Sequence, residues 1–416
     1  MTGKAIPAVV LALGLVSARQ APEKALIQPS DFAYLGYYDV QTSGEDTTYS
    51  QGLTHRYVDG DLRLLIYQLH DRLHEISLKD VPFGARITQT TGDWPVTNCG
   101  FIGLWFEEAK DRLWTTCSED YFADYQPAEI RLLRLGAGGT TTLLAGPNGL
   151  RGITQKRVYG GCRDLPAWMQ QMSNLSQPYV CGWGGYTSLV SSGGVASMGL
   201  TMYAVPDPTT WKGETRDFKT LADHESGTTE GDGGAGRSFD RGWRLTPALN
   251  YYDGGDPRPN PPTPPEDPPR RGAGWLHPLK DGHNRFVWGD SYYNTGNWVE
   301  TATKRGFVAV ASLCGGKCYY SHSTLNSDER IAELHVFDPA QLAEVARGRR
   351  RPWQVQPVAM ERLDLPGEVW SGSHQGNWTP GNAAAATFDA KTGRFYLARF
   401  AVDTFTTRIY VYQVGG

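Results

Sequence analysis

Residues Ala383–Val414, AAAATFDAKTGRFYLARFAVDTFTTRIYVYQV, decide the fold of this chain of 416 residues. Two mostly apolar segments, Ala383–Phe388 and Arg394–Phe400, flank the polar turn Asp389–Gly393. A third segment, Arg408–Val414, alternates apolar and polar residues. Short runs rich in aromatic and β-branched residues, separated by turns that contain Asp and Gly, are typical of antiparallel strands. The stretch therefore predicts a hairpin followed by another strand of the same sheet.

The same pattern recurs upstream. Clear copies run from Leu53 to Leu78 and from Phe101 to Leu135, and weaker copies end at Leu200–Val205 and at Ala332–Phe337. Repetition of a strand unit at this period is typical of a β-propeller, in which each four-stranded blade buries its faces against its neighbours. We predict an all-β propeller of four-stranded antiparallel blades. Five blades with an insertion in the fourth is the leading count, and six blades stays open as the alternative.

The insertion is placed at about residues 225–272. The interval between the strands that end near residues 205 and 337 is roughly twice as long as one blade requires. Glu225–Gly242 is rich in glycine and charge, and eight prolines lie between Pro257 and Pro269. Proline cannot donate to a strand ladder. Two short peripheral helices are also expected. One follows Asp338-Pro339, and the other lies within Arg163–Asn174 with Asp164 as its cap.

The hairpins give the chain a resemblance to β-propellers, and especially to uncharacterised secreted bacterial ones. The segment Ala385–Leu397, with its Asp-Ala-Lys-Thr-Gly turn, carries this resemblance best. The pattern lacks a WD dipeptide at the end of each blade and a regular kelch diglycine. The resemblance implies architecture alone, because propellers host hydrolases, lyases, oxidoreductases and binding platforms.

The N-terminus resembles a signal for secretion. Lys4 precedes the apolar run Ala5–Val16, and Val16-Ser17-Ala18 offers small residues for cleavage. The run is too short to span a bilayer. We therefore expect a signal peptide at residues 1–18, a leader at 19–30 and a single propeller domain at 31–416. A secreted protein, periplasmic or extracellular, is the expected result.

Six cysteines fit an exported protein. Six cysteines allow 15 pairings, and we expect the local ones. Hairpin register places Cys99 opposite Cys117, while Cys162 and Cys181 close a loop, and Cys314 and Cys318 flank a flexible Gly-Gly-Lys spacing. The paired Cys-x-x-Cys or Cys/His sets of zinc sites are absent from the sequence, so no metal site is predicted.

Charge gives little guidance to a partner. The formal net charge is -4 and the pI is about 6.2, values that exert no overall attraction on nucleic acid or on membranes. The one basic run is Arg347 with Arg349–Arg351, which is interpreted as a solvated turn after a helix. The expected partners are an extracellular glycan or a protein surface, with no nucleic acid and no membrane span. No cofactor fingerprint is found.

Loops just before the strands of different repeats share aromatic, glycine and polar residues. Because equivalent loops emerge on one face of a propeller, we expect them to meet around the channel. Aromatic rings stack on sugar faces while amides and carboxylates bond hydroxyl groups. An alternative is that the tryptophans fill the junctions between blades. The predicted ligand-binding residues are Asp93, Trp94, Trp183, Trp275, His374 and Trp378.

The sequence offers single candidate catalytic residues, but it does not identify a set of residues that would act together. Asp290, directly after an apolar strand, is the leading carboxyl group, and His374 is the leading imidazole. A glycosidase needs two facing carboxyl groups, and a lyase needs a base together with a cation that neutralises a uronate. The leading prediction is a secreted propeller that recognises an extracellular ligand, a polysaccharide, at the loop face. The alternatives are a glycoside hydrolase or polysaccharide lyase acting at the same channel mouth, and a protein-interaction scaffold.

Overall fold

The chain is a five-bladed β-propeller, as the repeats predict. The computed structural model describes the following residues: 24–41, 52–68, 72–96, 101–118, 127–154, 158, 160–183, 200–223, 276–278, 284–286, 292–321, 324–363, 365–366, 383–403 and 406–415. The predicted insertion at about 225–272 lies outside them, and the domain boundaries stay a prediction. Two N-terminal strands, β1 (Ala25–Leu26) and β2 (Phe32–Gln41), join blades that are formed much later in the chain.

Blade 1 is an antiparallel sheet whose strands pair in the order β3-β4-β5-β7. The left-handed residues Asp59 and Gly60 connect β3 to β4, so the Asp-Gly pair forms the tight turn that its sequence predicts. A short strand, β6, leaves this blade and pairs with β2. The strands are β3 (Leu53–Val58), β4 (Asp61–Gln68), β5 (Arg72–Ser77), β6 (Arg86–Ile87) and β7 (Gly92–Pro95).

Blades 2 and 3 repeat the arrangement. In blade 2 the order is β8-β9-β10-β11, and β15 from the next repeat adds a parallel edge to β11. In blade 3 the order is β12-β13-β14-β16. The strands are β8 (Phe101–Glu107), β9 (Arg112–Ser118), β10 (Pro127–Leu135), β11 (Thr141–Thr154), β12 (Cys162–Asp164), β13 (Tyr179–Gly182), β14 (Thr201–Val205), β15 (Glu214–Thr215) and β16 (Lys219–Asp223).

Blade 4 follows a separate two-stranded sheet in the chain, and only blade 5 comes after it. Its order is β19-β20-β21-β22, and β1 pairs in parallel with the start of β20. The expected flexible spacing at Cys314–Cys318 is instead part of strand β20. The strands are β17 (Leu276–Pro278) and β18 (Asn284–Phe286) of the small sheet, then β19 (Tyr292–Glu300), β20 (Lys304–Ser321), β21 (Thr324–Phe337) and β22 (Pro357–Arg362).

Blade 5 joins the two ends of the chain. It contains β23 (Ala383–Asp389), β24 (Arg394–Asp403) and β25 (Thr406–Val414), so the last strand shares a blade with the preceding hairpin, as predicted. Its outer strand is β2, which pairs antiparallel with β25 from Phe32–Val414 to Gln41–Thr406. The N-terminal strand therefore closes the ring, a role that its sequence does not reveal.

Apolar clusters lie between neighbouring blades. In the described part of the chain, five clusters join blades 1 and 2, 2 and 3, 3 and 4, 4 and 5, and 5 and 1. The last of these packs Tyr38 and Val40 of β2 with Leu64 of blade 1 and Tyr396 of blade 5. Because every junction carries its own core, each blade is stabilised by both of its neighbours.

Two short helices lie at the edge of the propeller, as predicted. Helix α1 (Ala167–Ser173) begins after Pro166, and helix α2 (Pro339–Ala346) begins after Asp338, whose side chain accepts from the Ala340 amide. The cap predicted for the first helix is wrong. Asp164 is the last residue of strand β12, because the segment before Pro166 pairs with β13 before the helix begins.

Cys162 and Cys181 form the disulfide that the sequence predicts. They are directly opposite each other on β12 and β13, with Cα atoms 4.0 Å apart, and they enclose α1. Cys117 lies opposite Ile102, whereas Cys99 is outside the described residues, so the Cys99–Cys117 pairing stays a prediction. The Cys314–Cys318 pairing stays a prediction too.

Replacing both Cys162 and Cys181 by serine is expected to lower the free energy of unfolding by about 3 kcal/mol. In the loop-entropy account, releasing a cross-link that encloses 19 positions frees the unfolded chain by about that amount. Urea denaturation of the double variant and the oxidised wild type measures the difference. Treating wild type with a reductant provides the control, because it removes the same bond without changing the sequence. Equal midpoints for all three samples would contradict the expectation.

Candidate functional site

Five inner strands surround the channel: β3, β8, β12, β19 and β23. Side chains link neighbouring inner strands, for example Thr54 on β3, whose hydroxyl accepts from the Phe106 amide on β8 at 3.0 Å. The turns after these strands lie at one end of the channel, and we call this end the turn face. The opposite end is called the loop face. The links of the turn face are residues 59–60, 108–111, 165–178, 301–303 and 390–393.

A buried guanidinium crosses the channel and ties four blades together. Arg163 on β12 donates to the Asn297 side-chain oxygen at 3.1 Å, to the Leu104 carbonyl at 3.0 Å and to the Ala386 carbonyl at 3.3 Å. Burial lowers the pKa of Arg163 to about 10, which leaves it charged at neutral pH. Buried charges need this kind of hydrogen bonding to persist. Arg163 is therefore a central support of the ring.

Charged side chains join blades 2 and 3 near the turn face. The buried Glu107 at the end of β8 accepts from Arg112 at 2.5 Å, from the Trp114 indole at 2.9 Å and from the Tyr179 hydroxyl at 2.8 Å. Burial alone would raise the pKa of Glu107, but these donors outweigh burial and hold the pKa below its ordinary value. Glu107 is therefore ionised, and its oxygens are occupied by partners.

Two further residues extend this network towards solvent. Asp207 accepts from Arg112 at 2.9 Å and from Lys110 at 3.1 Å, and Lys110 also contacts the Tyr179 hydroxyl. Burial opposes ionisation of Asp207, but the bonds from Arg112, the Thr209 amide and Lys110 lower its pKa strongly. Lys110 is about half-exposed, so the network reaches the surface at this point.

Aromatic rings pack beside these charges. Trp105, Trp114 and Tyr179 have ring centroids 4.5–6.0 Å apart. Trp114 is fully buried, whereas Trp105 is partly exposed. Trp105 lies on β8 two residues before Glu107, the last residue of the strand at the turn face. The site therefore offers an aromatic surface next to hydrogen-bonding groups.

Asp164 differs from the other charged members of this group, because no described side chain forms a hydrogen bond with it. It ends β12 directly opposite Tyr179, so the two side chains are on the same side of blade 3. Its carboxyl group reaches solvent, yet the surrounding protein excludes enough water for desolvation to raise its pKa, with Arg163 opposing the shift and Glu107 adding to it. Among the described residues, the carboxyl group is bonded only by its own backbone amide. Perturbed and unsatisfied carboxyl groups cluster at functional sites.

A second cluster lies on the turn face between blades 5 and 1. His55 Nδ1 is 2.8 Å from the Thr387 hydroxyl, and the Tyr57 hydroxyl donates to the buried Asp389 at 2.8 Å. Burial lowers the pKa of His55, which favours the neutral imidazole, and burial followed by the Asp389 bond raises the pKa of Tyr57. Lys391 covers the Tyr57 ring at 3.6 Å. Each of these groups already has partners, so the cluster joins the two blades.

The two clusters meet at consecutive residues. Glu107 faces blade 3, whereas the next residue, Glu108, accepts from the Tyr57 amide at 2.9 Å and from Lys391 at 3.0 Å. The end of β8 and the turn after it therefore connect blade 2 with blades 1, 3 and 5 at this face. Polar groups thus extend along the turn face from blade 5 through blades 1 and 2 to blade 3.

Two predicted site residues, Asp93 and Trp94, lie on β7, the outer strand of blade 1. The Asp93 carboxylate pairs with both donor nitrogens of Arg72, which holds its pKa below the ordinary value. Trp94 is buried, donates to the Gly136 carbonyl of blade 2 at 2.9 Å and lies under Arg56 at 5.0 Å. These contacts are those of a junction between blades. A ligand-binding role for the pair stays a prediction.

Trp183 follows β13 and belongs to a different junction. It is fully buried, and its ring centroid is 4.7 Å from that of Phe307 in blade 4. Trp94 and Trp183 therefore lie in separate inter-blade cores, and the described residues do not bring them together. The remaining predicted ligand and catalytic residues, Trp275, Asp290, His374 and Trp378, lie outside the described residues.

Metal binding and membrane insertion find no support in the described part of the chain. There, no group of three or more His, Cys, Asp or Glu side chains is arranged to hold a metal ion. Neither described helix is long and apolar enough to cross a bilayer.

Comparison with known proteins adds only distant likenesses. No protein-family model and no curated protein matches the sequence. A crystal structure named a "putative glycoside hydrolase", from Parabacteroides distasonis, is 11% identical, covers 95% of this chain and 97% of its own, and has a TM-score of 0.40. A member of the duf4221 family from Bacteroides vulgatus is 8% identical, with 94% and 99% covered and a TM-score of 0.31. The assignment of five blades and of the closing strand therefore rests on the strand pairing in this chain and not on these likenesses.

Proposed function

We propose that this propeller recognises an extracellular polysaccharide on its turn face, at the site formed by Asp164, Trp105 and Tyr179. One observation carries the proposal: Asp164 places an accessible carboxyl group, which has no side-chain hydrogen bond from the described residues, beside Tyr179 at the turn-face end of the inner strand β12. Desolvation raises the pKa of this group, and carboxyl groups with a perturbed pKa are common at functional sites.

The chemistry of a sugar suits these side chains. A carboxylate accepts hydrogen bonds from hydroxyl groups, and such bonds to a charged acceptor are stronger than bonds between neutral groups. The accessible edge of Trp105 offers an apolar surface to the C–H face of a sugar ring. Lys110, about half-exposed and bonded to the Tyr179 hydroxyl, places a positive charge at the same surface. An extended chain fits best, because the polar surface continues around the channel to Tyr57 and Lys391.

Secretion is part of this proposal. The Cys162–Cys181 disulfide is typical of proteins from an oxidising compartment, and extracellular glycans are found in such a setting. The predicted signal peptide at residues 1–18 agrees with it.

A second candidate is cleavage of a glycosidic bond at the same place. The pKa of Asp164 is raised whereas that of Glu107 is lowered. Opposite shifts in neighbouring carboxyl groups are how glycosidases separate the acid from the base or nucleophile. Because Arg112, Trp114 and Tyr179 occupy the Glu107 oxygens, binding without cleavage remains the leading function.

Replacing Asp164 by asparagine is expected to weaken polysaccharide binding at least tenfold. A hydrogen bond to a charged acceptor contributes about 1.5–3 kcal/mol, which is tenfold or more in affinity. Purified wild type is first screened against a panel of polysaccharides, with both binding and new reducing ends or unsaturated products recorded. The best ligand is then titrated into wild type, Asp164→Asn and the matched control Asp80→Asn. Asp80 is exposed, and its left-handed backbone is one that asparagine also adopts.

Asp164→Asn is expected to be more stable than wild type at neutral pH, although it binds the ligand more weakly. The folded-state pKa of Asp164 lies above its value in the unfolded chain. The protonated carboxyl group therefore contributes stability that is present below a pH of about 3.8 and lost as the pH rises through the folded-state pKa. Asparagine does not ionise, so Asp164→Asn should melt at a higher temperature than wild type at pH 7. The difference should shrink at low pH.

Three outcomes would contradict this account. Equal affinity of wild type and Asp164→Asn would remove the site, and a lower melting temperature of the variant at pH 7 would show that Asp164 is structural. The predicted loop-face residues provide the remaining test. If Trp378→Ala abolishes binding while Asp164→Asn does not, the ligand lies on the loop face.

A further inference from the structure

A basic cleft lies at the rim of the turn face, between blades 3 and 4. Its volume is about 570 Å³, within the range of about 300–1,000 Å³ that ligand sites span. The start of β16 forms one wall, and the segment after helix α2 forms the other. Four cationic side chains line it: Lys219, Arg349, Arg350 and Arg351.

The end of helix α2 explains why these arginines are gathered. Gly348 adopts a left-handed conformation with φ 71° and donates to the Val345 carbonyl, while the Arg349 amide donates to the Glu344 carbonyl at 2.8 Å. This is the Schellman arrangement, which ends a helix and reverses the chain. The next residues therefore turn back towards β16. The turn that was interpreted from the sequence as merely solvated thus forms one wall of the cleft.

Hydrogen bonds hold this wall in one shape. Arg350 donates to the Glu344 carboxylate at 2.8 Å and to the Gln354 carbonyl at 3.1 Å. The Arg351 backbone amide donates to the Gln354 side-chain oxygen at 2.9 Å, and the Gln354 backbone amide donates to the Arg351 carbonyl. A guanidinium that is already positioned loses little rotamer freedom when it binds an anion.

Two cations of the cleft, Lys219 and Arg349, lack an acidic partner among the described residues. Arg350 is paired with Glu344. No carboxylate of the described chain lies within ion-pair distance of Lys219 or Arg349, and both are exposed. Like charges that gather in a concave site raise the local concentration of anions. Arg350 holds the turn through Glu344 and Gln354, whereas the side chains of Lys219 and Arg349 are available to an anion.

We propose that this cleft binds the acidic groups, sulfate or carboxylate, of the polysaccharide that the turn face recognises. The inference rests on the proposed function. Planar guanidinium groups match the oxygen pairs of sulfate and carboxylate. The cleft and Asp164 are both on the turn face, since β16 begins and α2 ends at that end of their blades. An acidic chain could therefore contact both places at once, with its neutral hydroxyl groups at Asp164 and its charged groups at the rim.

The test uses dextran sulfate and uncharged dextran as probes. We expect wild type to bind dextran sulfate more tightly than dextran, and we expect Lys219→Ala/Arg349→Ala to bind dextran sulfate about tenfold more weakly. Its affinity should also depend less steeply on salt. The matched control is Arg134→Ala/Arg151→Ala, which removes the same charge from exposed positions of blade 2 and should change affinity less than twofold.

Each other outcome overturns the inference or the proposed function separately. Equal losses in both double variants, or no preference of wild type for dextran sulfate, would show that the cleft is not a binding site. A loss confined to the cleft variant, together with wild-type affinity of Asp164→Asn for both probes, would keep the anion site and remove the proposed function at Asp164. A loss of affinity confined to Asp164→Asn would keep the proposed function at Asp164 and remove the anion site in the cleft.

Discussion

A chain that begins at residue 42 is expected to lose its cooperative unfolding transition. Such a chain lacks β2, so β25 becomes an open edge and the junction between blades 5 and 1 loses Tyr38 and Val40, both almost fully buried. Burying these two side chains contributes about 3–6 kcal/mol, a large share of the 5–15 kcal/mol by which proteins are stable. The ring then has no closure.

The matched control is a chain that begins at residue 24. It keeps β1 and β2, and with them the pair in which Arg408 donates to Asp39 at 2.7 and 2.9 Å. Circular dichroism during heating should show one sharp transition for this control, close to that of the full chain, and a broad or absent transition for the shorter chain. A sharp transition at the same temperature in both chains would show that β2 does not close the propeller.

Replacing Arg163 by alanine is expected to lower the free energy of unfolding by about 3–5 kcal/mol. The change removes the guanidinium that donates to the Leu104 carbonyl and to the Asn297 side-chain oxygen, whereas the Ala386 carbonyl keeps its bonds from Thr295 and Asn297. A buried acceptor that loses its partner costs about 1–3 kcal/mol, and two acceptors lose theirs here. Arg151→Ala is the control, because its side chain is mostly exposed and 4.0 Å from Glu214.

Urea denaturation of these two variants gives the measurement. A midpoint far below wild type for Arg163→Ala, with an unchanged midpoint for Arg151→Ala, is the expected result. Small and equal shifts would mean that the guanidinium is not needed to join the blades. Asn297→Ala provides a graded check, since it removes one acceptor of the same guanidinium and should cost less.

The repeated hairpins were sufficient to predict the fold. In Ala383–Phe400 the apolar segments, the turn residues and the strand lengths all agree, so local sequence and global architecture point to the same sheet. The closing strand β2 could not be predicted in the same way. Its partner β25 is more than 360 residues away, and nothing local to Phe32–Gln41 distinguishes a closing strand from the first strand of a new blade.

The site was harder to predict for a similar reason. Asp164 precedes Pro166 and a helix, so its local sequence reads as a helix cap. Only the register of β12 against β13 places it beside Tyr179, and only the neighbouring blade supplies Trp105 and Glu107. Asp-x-Pro at the end of a short strand was the one available signal, and it indicates a turn as readily as a functional residue.

The tryptophans illustrate the limit of composition as evidence. Trp94 and Trp183 stand near glycine and polar residues, as binding residues do, but their side chains are buried at junctions between blades. The size of an aromatic residue makes it suited to both tasks. Exposure separates the two tasks, and exposure follows from the packing of blades rather than from neighbouring residues in the sequence.

A crystal structure of the protein with an oligosaccharide from its best ligand tests the central claim most directly. The account predicts sugar on the turn face, with a hydroxyl group within about 3.2 Å of the Asp164 carboxylate and a ring against Trp105. Acidic groups of the same chain should lie in the cleft beside Arg349. Sugar bound on the loop face, with Asp164 and Trp105 untouched, would contradict the account.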